Sequence, residues 1–160
     1  MDPLRRFKDA QDGSGAGFAT ALAEIRGGGK RSHWIWYVFP QLAGLGSSRA
    51  SQTYGINGLP EAEAYLRDPV LGERLITITA AVADALGRHR SVTRLMGSRV
   101  DAQKLVSSMT LFEGVARNLD AVDETATYAP FVATAREILA AAADEGYPRC
   151  EFTDAALRKR

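Results

Sequence analysis

Residues 32–41 concentrate the side chains of this chain that could hold or act on a ligand. The run reads Ser-His-Trp-Ile-Trp-Tyr-Val-Phe-Pro-Gln, and it contains both tryptophans and one of the two histidines of the chain. A histidine exchanges protons near neutral pH, and an indole ring can stack on a nucleobase or a similar ring. The run therefore predicts either a buried core segment or the wall of a site.

The start of this run would suit an anion. If Ser32 begins a helix, the free N–H groups of the first turn lie beside Lys30 and Arg31, and such a place can hold a phosphate or a carboxylate. His33 would add a further donor or acceptor. The alternative is that the basic pair is solvated and that His33 is a hydrogen-bonded boundary residue.

A second group of polar side chains belongs to the helix that the pattern predicts from about residue 100 onward. Asp101, Lys104 and Ser108 share one face of it, and the neighbouring face is apolar. Helix interiors disfavour the pair Ser107 and Ser108 followed by Thr110. These small polar residues predict either close packing against another helix or polar contacts with a ligand.

A third candidate is Tyr54, which is followed by Gly55. The glycine would let the backbone approach a ligand, and the tyrosine would present its hydroxyl group. A tyrosine buried at the end of a helix is the alternative interpretation of the same residues.

Helical periodicity accounts for most of the chain and predicts the elements that position these residues. Cap and proline signals favour helix starts near residues 2–4, 17, 48, 60, 69, 91, 98 or 101, and 128. The aromatic run fits a short helix or a buried strand, and Pro40 ends it in either case. We predict an all-α, mainly helical protein: one compact multi-helix bundle over residues 1–160, orthogonal rather than up-down, with a frayed tail over residues 150–160.

The composition restricts the classes of partner. The net charge of +1 and the pI of about 7.9 give no global field for nucleic acid or an anionic membrane, so neither is expected as a partner. One cysteine excludes a disulfide within the chain, and one cysteine with two histidines predicts no structural zinc. No metal and no cofactor are expected. With no signal-peptide pattern at the start, a cytoplasmic location is expected. The oligomeric state is left open.

The three segments together resemble a bacterial family known as domain of unknown function 1810. The resemblance implies a small, mainly helical bacterial domain and no established activity. The matching residues are Leu4, Arg6-Phe7, Ala10-Gln11, 21–25, Lys30, 32–41, 44–47, Ser51, 54–56, Glu61-Ala62, Tyr65-Leu66, 68–72, Arg74-Leu75, Asp101, Lys104-Leu105 and 107–112.

The aromatic–polar segment, with a later helix carrying Lys, Ser and Met before Phe, also resembles domains that handle ADP-ribose and related riboside phosphates. This resemblance implies a nucleotide-like or phosphorylated small-molecule ligand. If the protein is a hydrolase, an N-glycosidic bond is the expected target, with Asp101 and His33 as catalytic residues. Whether it is an enzyme is left open. The expected ligand-binding residues are Lys30, Trp34, Trp36, Gln41, Tyr54, Lys104 and Ser108.

The alternative function is a noncatalytic protein–protein interaction module. In that case part of the aromatic run would be exposed as a patch that binds a partner protein.

Overall fold

The computed structural model describes residues 2–159, and within that range the ordered elements are ten helices and no strand. The all-α prediction is confirmed. One isolated parallel bridge joins Leu42 to Ile56. The helices are α1 (Arg5–Gln11), α2 (Phe18–Arg26), α3 (Ile35–Val38), α4 (Arg49–Thr53), α5 (Leu59–Arg67), α6 (Leu71–Gly87), α7 (Val92–Met96), α8 (Arg99–Asp123), α9 (Ala129–Asp144) and α10 (Glu151–Arg158).

Side-chain caps set several of these helix starts. Ser48, Ser91 and Ser98 each accept a hydrogen bond from the backbone N–H three residues later, at 3.0–3.1 Å. These bonds satisfy donors that the first turn of a helix leaves unpaired. Of the two caps considered for α8, the structure uses Ser98, which leaves the Asp101 carboxylate available for another contact.

Helix α8 is the central element of the fold. It packs along α9 and also contacts α3, α5, α7 and α10, and every residue from 105 to 116 is buried. Ser107 and Thr110 donate to backbone carbonyl groups of α8 itself. A Cβ atom at Gly114 would lie 2.6 Å from a methyl carbon of Leu157 in α10. Close helix packing therefore accounts for Ser107, Thr110 and Gly114.

The aromatic run forms the short helix α3 rather than a strand. Trp34, Ile35, Val38 and Phe39 are each at most 1% exposed, so this run contributes to the core. The prediction that Ser32 caps the helix is wrong. Helix α3 begins at Ile35, after Trp34, because the side chain and N–H of Ser32 bond elsewhere.

Helix α10 covers most of the segment that we expected to be frayed. Its Leu157 side chain packs over Gly114, its Phe152 ring lies beside Gly44, and Thr153 is buried. The segment is amphipathic, with acidic residues in its first turn and Arg158 in its last, so the expectation of a frayed tail overlooked a local helix signal. Within residues 2–159, no helix has the length and apolar character needed to span a bilayer.

Candidate functional site

The turn between α2 and α3 does bind an anion, and that anion is the carboxylate of Glu24. Its Oε1 atom accepts hydrogen bonds from the backbone N–H groups of Arg31 (2.8 Å) and Ser32 (2.9 Å). The indole Nε1 of Trp34 donates to the same oxygen at 2.9 Å, and the Ser32 hydroxyl donates to Oε2 at 2.5 Å. The place at which we expected a ligand anion is therefore filled by the protein itself.

These bonds change the acidity of Glu24. Partial burial by itself would raise the pKa of a carboxyl group, but the hydrogen bonds from Ser32, from the N–H of Arg31 and from Trp34 outweigh it. The pKa of Glu24 is lowered to about 2. The carboxylate is consequently charged throughout the neutral range, as a structural acceptor for Trp34.

Lys30 also has a partner within the chain. Its Nζ atom lies 2.7 Å from Oδ2 of Asp101 and donates to the carbonyl oxygen of Ser32 at 2.6 Å. The ammonium group stands 5.1 Å from the ring centroid of Trp34, and the Lys30 side chain is 5% exposed. Contact between Lys30 and a ligand anion would require this buried ion pair to open.

A different set of predicted residues meets where the loop after α3 crosses the end of α4. Two backbone hydrogen bonds hold the crossing, from Ala43 N to Ile56 O (2.8 Å) and from Ile56 N to Gln41 O (2.9 Å). A Cβ atom at Gly55 would lie 2.8 Å from Cα of Ala43, so only glycine permits this close approach. The crossing places Gln41 beside Tyr54.

Two residues of helix α1, Arg6 and Phe7, hold Tyr54 and its neighbouring backbone in place. Arg6 donates to the carbonyl groups of Thr53 and Gly55, at 2.9 Å each, and so holds the backbone on both sides of Tyr54. The tyrosine ring also packs 6.1 Å from the ring of Phe7, between centroids. Its position is therefore fixed by residues far away in the sequence.

These contacts enclose a small cavity, which we call the Trp36–Lys104 cavity. Its free volume is about 10 Å³, which suits one water-sized group. Lys104, one helical turn beyond Asp101, forms no ion pair or side-chain hydrogen bond with any described residue. The lining residues are Trp36, Phe39, Gln41, Ala50, Ser51, Tyr54, Gly55 and Lys104.

Trp36 gives this cavity a second unpaired donor. Its Nε1 atom is buried and has no hydrogen-bond acceptor among residues 2–159. A buried donor without a partner costs about 1–3 kcal/mol, and such groups are rare in folded proteins. Gln41 Nε2 makes only a long contact with the carbonyl of Leu45, at 3.4 Å. Three residues with donor groups, Trp36, Gln41 and Lys104, therefore line one cavity, and two of these donors have no acceptor among the described residues.

The structure places seven of the nine predicted site residues in two clusters and leaves the other two apart. Trp36, Gln41, Tyr54 and Lys104 line one cavity, whereas Lys30, Trp34 and Asp101 form the adjacent paired cluster. His33 is exposed and does not line the cavity. Ser108 is fully buried in α8, where its hydroxyl has no partner among the described residues. The catalytic and binding roles of all nine stay predictions.

Sequence reasoning missed Glu24, the residue with the most hydrogen bonds in this region. Glu24 lies on the polar side of an ordinary amphipathic helix, and no local pattern marks it. Its contacts arise because the three glycines at 27–29 turn the chain back over α2. Phe39 and Ala50, which also line the cavity, carry no chemical signal. Within residues 2–159, no cluster of His, Cys, Asp and Glu could hold a metal ion.

Two comparisons with known proteins match the chain. The model of a family described as "Protein of unknown function (DUF1810)" matches residues 1–132. The chain is also similar to the conserved hypothetical protein Rv1873 from Mycobacterium tuberculosis, known from a crystal structure at 1.38 Å. The identity is 39%, the TM-score is 0.72, and the match covers 96% of each chain. No curated protein matches the chain.

Proposed function

The chain belongs to the DUF1810 family, and we propose that it binds a nucleotide-like or phosphorylated small molecule at the Trp36–Lys104 cavity. One observation carries the proposal: Lys104, whose ammonium has no partner among the described residues, and Trp36, whose Nε1–H is buried and unpaired, line the same cavity. Donors left without acceptors are costly in a folded chain, and an anionic or carbonyl oxygen of a ligand would supply the acceptor.

The size of the cavity defines how such a ligand would sit. A free volume of about 10 Å³ admits one oxygen atom rather than a whole nucleotide. The remainder of the ligand would lie over the rim, against the partly exposed rings of Trp36 and Tyr54. Aromatic rings of this kind stack on a nucleobase. The ligand class is thus a molecule with an oxyanion or carbonyl group near a flat ring.

The hydrolytic version of this function depends on Asp101. One carboxylate oxygen of Asp101 is committed to Lys30, and Asp101 does not line the cavity. The geometry therefore supports ligand binding more directly than cleavage of an N-glycosidic bond. The interaction-module alternative needs an exposed aromatic patch; Trp34 and Phe39 are buried in the core, and Trp36 and Tyr37 are only partly exposed.

Calorimetric titration of the full chain with AMP, ribose 5-phosphate and ADP-ribose tests the proposal. Replacement of Lys104 by Gln removes one charge-assisted hydrogen bond, so we expect the Kd of the ligand that binds best to rise about tenfold or more. Trp36→Phe removes the N–H donor and keeps an aromatic ring, and we expect a smaller rise. The free Lys104→Gln variant should retain the wild-type melting temperature, and Trp36→Phe should lower it only slightly.

Lys159→Gln is the matched control, because it removes the same charge from an exposed side chain at the end of α10. This variant should bind as the wild-type protein does. An absence of binding by all three compounds would refute the proposal. Equal weakening by Lys104→Gln and Lys159→Gln would also contradict it, since general charge attraction would then explain the binding.

A further inference from the structure

A second cavity, of about 410 Å³, lies between the loop that follows α2 and the loop that precedes α7. We call it the Arg90–Arg94 cavity. A volume of this size falls in the range of ordinary small-molecule sites. The lining residues are Gly28, His89, Arg90, Ser91, Arg94 and Leu95.

The lining of this cavity is basic. It includes two guanidinium groups and one imidazole, and none of its six residues is acidic. The nearby acids have other contacts: Asp84 pairs with Arg88 at 3.1 Å, and Glu145 accepts hydrogen bonds from the backbone N–H groups of Val92 and Thr93. Neither Arg90 nor Arg94 forms an ion pair with an acidic residue among residues 2–159.

The backbone holds Arg90 at the edge of the cavity. Its Nη1 atom donates to the carbonyl oxygen of Gly28 at 3.0 Å, which leaves the other guanidinium donors available. Gly28 has a φ of +117°, and a Cβ atom there would lie 2.8 Å from Nη1 of Arg90. Only glycine at this position lets the guanidinium lie against the backbone.

Arg94 and His89 complete the basic wall. The Arg94 side chain is exposed and forms no ion pair or side-chain hydrogen bond with residues 2–159. His89 is the residue before Arg90, and its φ of +67° lies in the left-handed region that non-glycine residues rarely adopt. This turn places His89 and Arg90, which precede α7, at the same cavity as Arg94, which belongs to α7.

From this arrangement we propose that the Arg90–Arg94 cavity binds a small phosphate-bearing molecule, independently of the Trp36–Lys104 cavity. Planar guanidinium groups match the oxygen geometry of phosphate through paired N–H···O bonds. A volume of about 410 Å³ suits a compact ligand better than an extended polyanion.

Inorganic pyrophosphate is the probe, titrated into the full chain by calorimetry at low and at physiological ionic strength. We expect binding that weakens about tenfold in Arg94→Gln and further in the double variant Arg90→Gln with Arg94→Gln. Arg94→Gln removes no intrachain contact, so it should leave the melting temperature of the free protein unchanged. Lys104→Gln should leave pyrophosphate binding unchanged, which separates this site from the proposed function.

Arg88→Gln is the matched control, since Arg88 is a neighbouring arginine already paired with an acid. Equal loss of binding in Arg88→Gln and Arg94→Gln would overturn the proposal, because any surface arginine would then serve. Failure of pyrophosphate to bind would overturn it as well. If the protein binds a short single-stranded RNA tightly but does not bind pyrophosphate, the proposal is also overturned.

Discussion

Lys30 and Lys104 belong to two neighbouring regions with similar residues. The donors of the first region are paired within the described part of the chain, and those of the second are not. Around Lys30, the ammonium meets Asp101, and the indole N–H of nearby Trp34 meets Glu24. Around Lys104, neither the ammonium nor the indole N–H of Trp36 has an acceptor among the described residues. Both regions pair a lysine with a tryptophan from the same aromatic run.

The difference separates a structural cluster from a candidate site. In the first region every strong donor is satisfied by the chain, so the cluster stabilises the fold and has little left for a ligand. In the second region the folded chain leaves donors unpaired, at a cost of about 1–3 kcal/mol for a buried group. An unpaired buried donor lowers the stability of the free protein, and a ligand that supplies an acceptor removes this cost.

Matched substitutions of the two lysines should give the largest contrast. Lys30→Met leaves the Asp101 carboxylate, 18% exposed, without its partner, and we expect the free energy of unfolding to fall by about 2–4 kcal/mol. Lys104→Met removes a cation that has no partner, so the change should stay within about 0.5 kcal/mol or be stabilising. Urea unfolding of both variants measures these values. Equal losses would show that Lys104 is as structural as Lys30.

Substitution of the two tryptophans should give a smaller difference in stability between the two regions. Trp34 is fully buried and donates to Glu24, so Trp34→Phe should cost about 2 kcal/mol through the lost bond and the space left behind. Trp36→Phe removes a donor that has no acceptor and should cost less than about 1 kcal/mol. Thermal unfolding of the two variants is the measurement. A larger loss for Trp36→Phe would reverse the assignment of the two regions.

The acidity of Glu24 provides the smallest test. Its pKa is about 2 in the folded protein, against an ordinary value of 4.5. A carboxyl group whose pKa is lowered by folding stabilises the fold above the ordinary pKa, and that stabilisation is lost as the pH falls from 4.5 toward about 2. Because Glu24 is partly exposed, we expect wild type to lose roughly 1 kcal/mol more than Glu24→Gln between pH 5 and pH 3.

The control for this pH dependence is Glu137→Gln. Glu137 is exposed on α9 and has no hydrogen bond or ion pair with the described residues. Its variant should follow the wild-type stability curve over the same pH range. If Glu24→Gln also follows the wild-type curve, the hydrogen bonds to Glu24 do not stabilise its charged form.

The sequence by itself determined the helical class and many of the helix boundaries. Caps such as Ser91 and Ser98 act on the backbone N–H three residues ahead, so the signal and its effect lie in the same short segment. The same holds for the apolar side of the aromatic run, whose composition predicted a core segment. Helix α10 was also marked locally, by its amphipathic pattern and by Glu151 and Asp154 in its first turn, but its position next to the chain terminus led us to expect a frayed tail. Its packing on α8, where Leu157 covers Gly114, is a contact between distant segments.

Only the tertiary structure decided which polar residues are paired and which are free. The sequence marks both Lys30 and Lys104 as candidate ligand-binding residues, yet Lys30 pairs with Asp101 and Lys104 does not. The turn at 27–29 places the Glu24 carboxylate against the N–H groups to which we expected a ligand anion to bind. The crossing at Gly55 places Gln41 beside Tyr54. Hydrogen bonds and ion pairs act over a few ångströms, so their partners are fixed by how distant segments fold together.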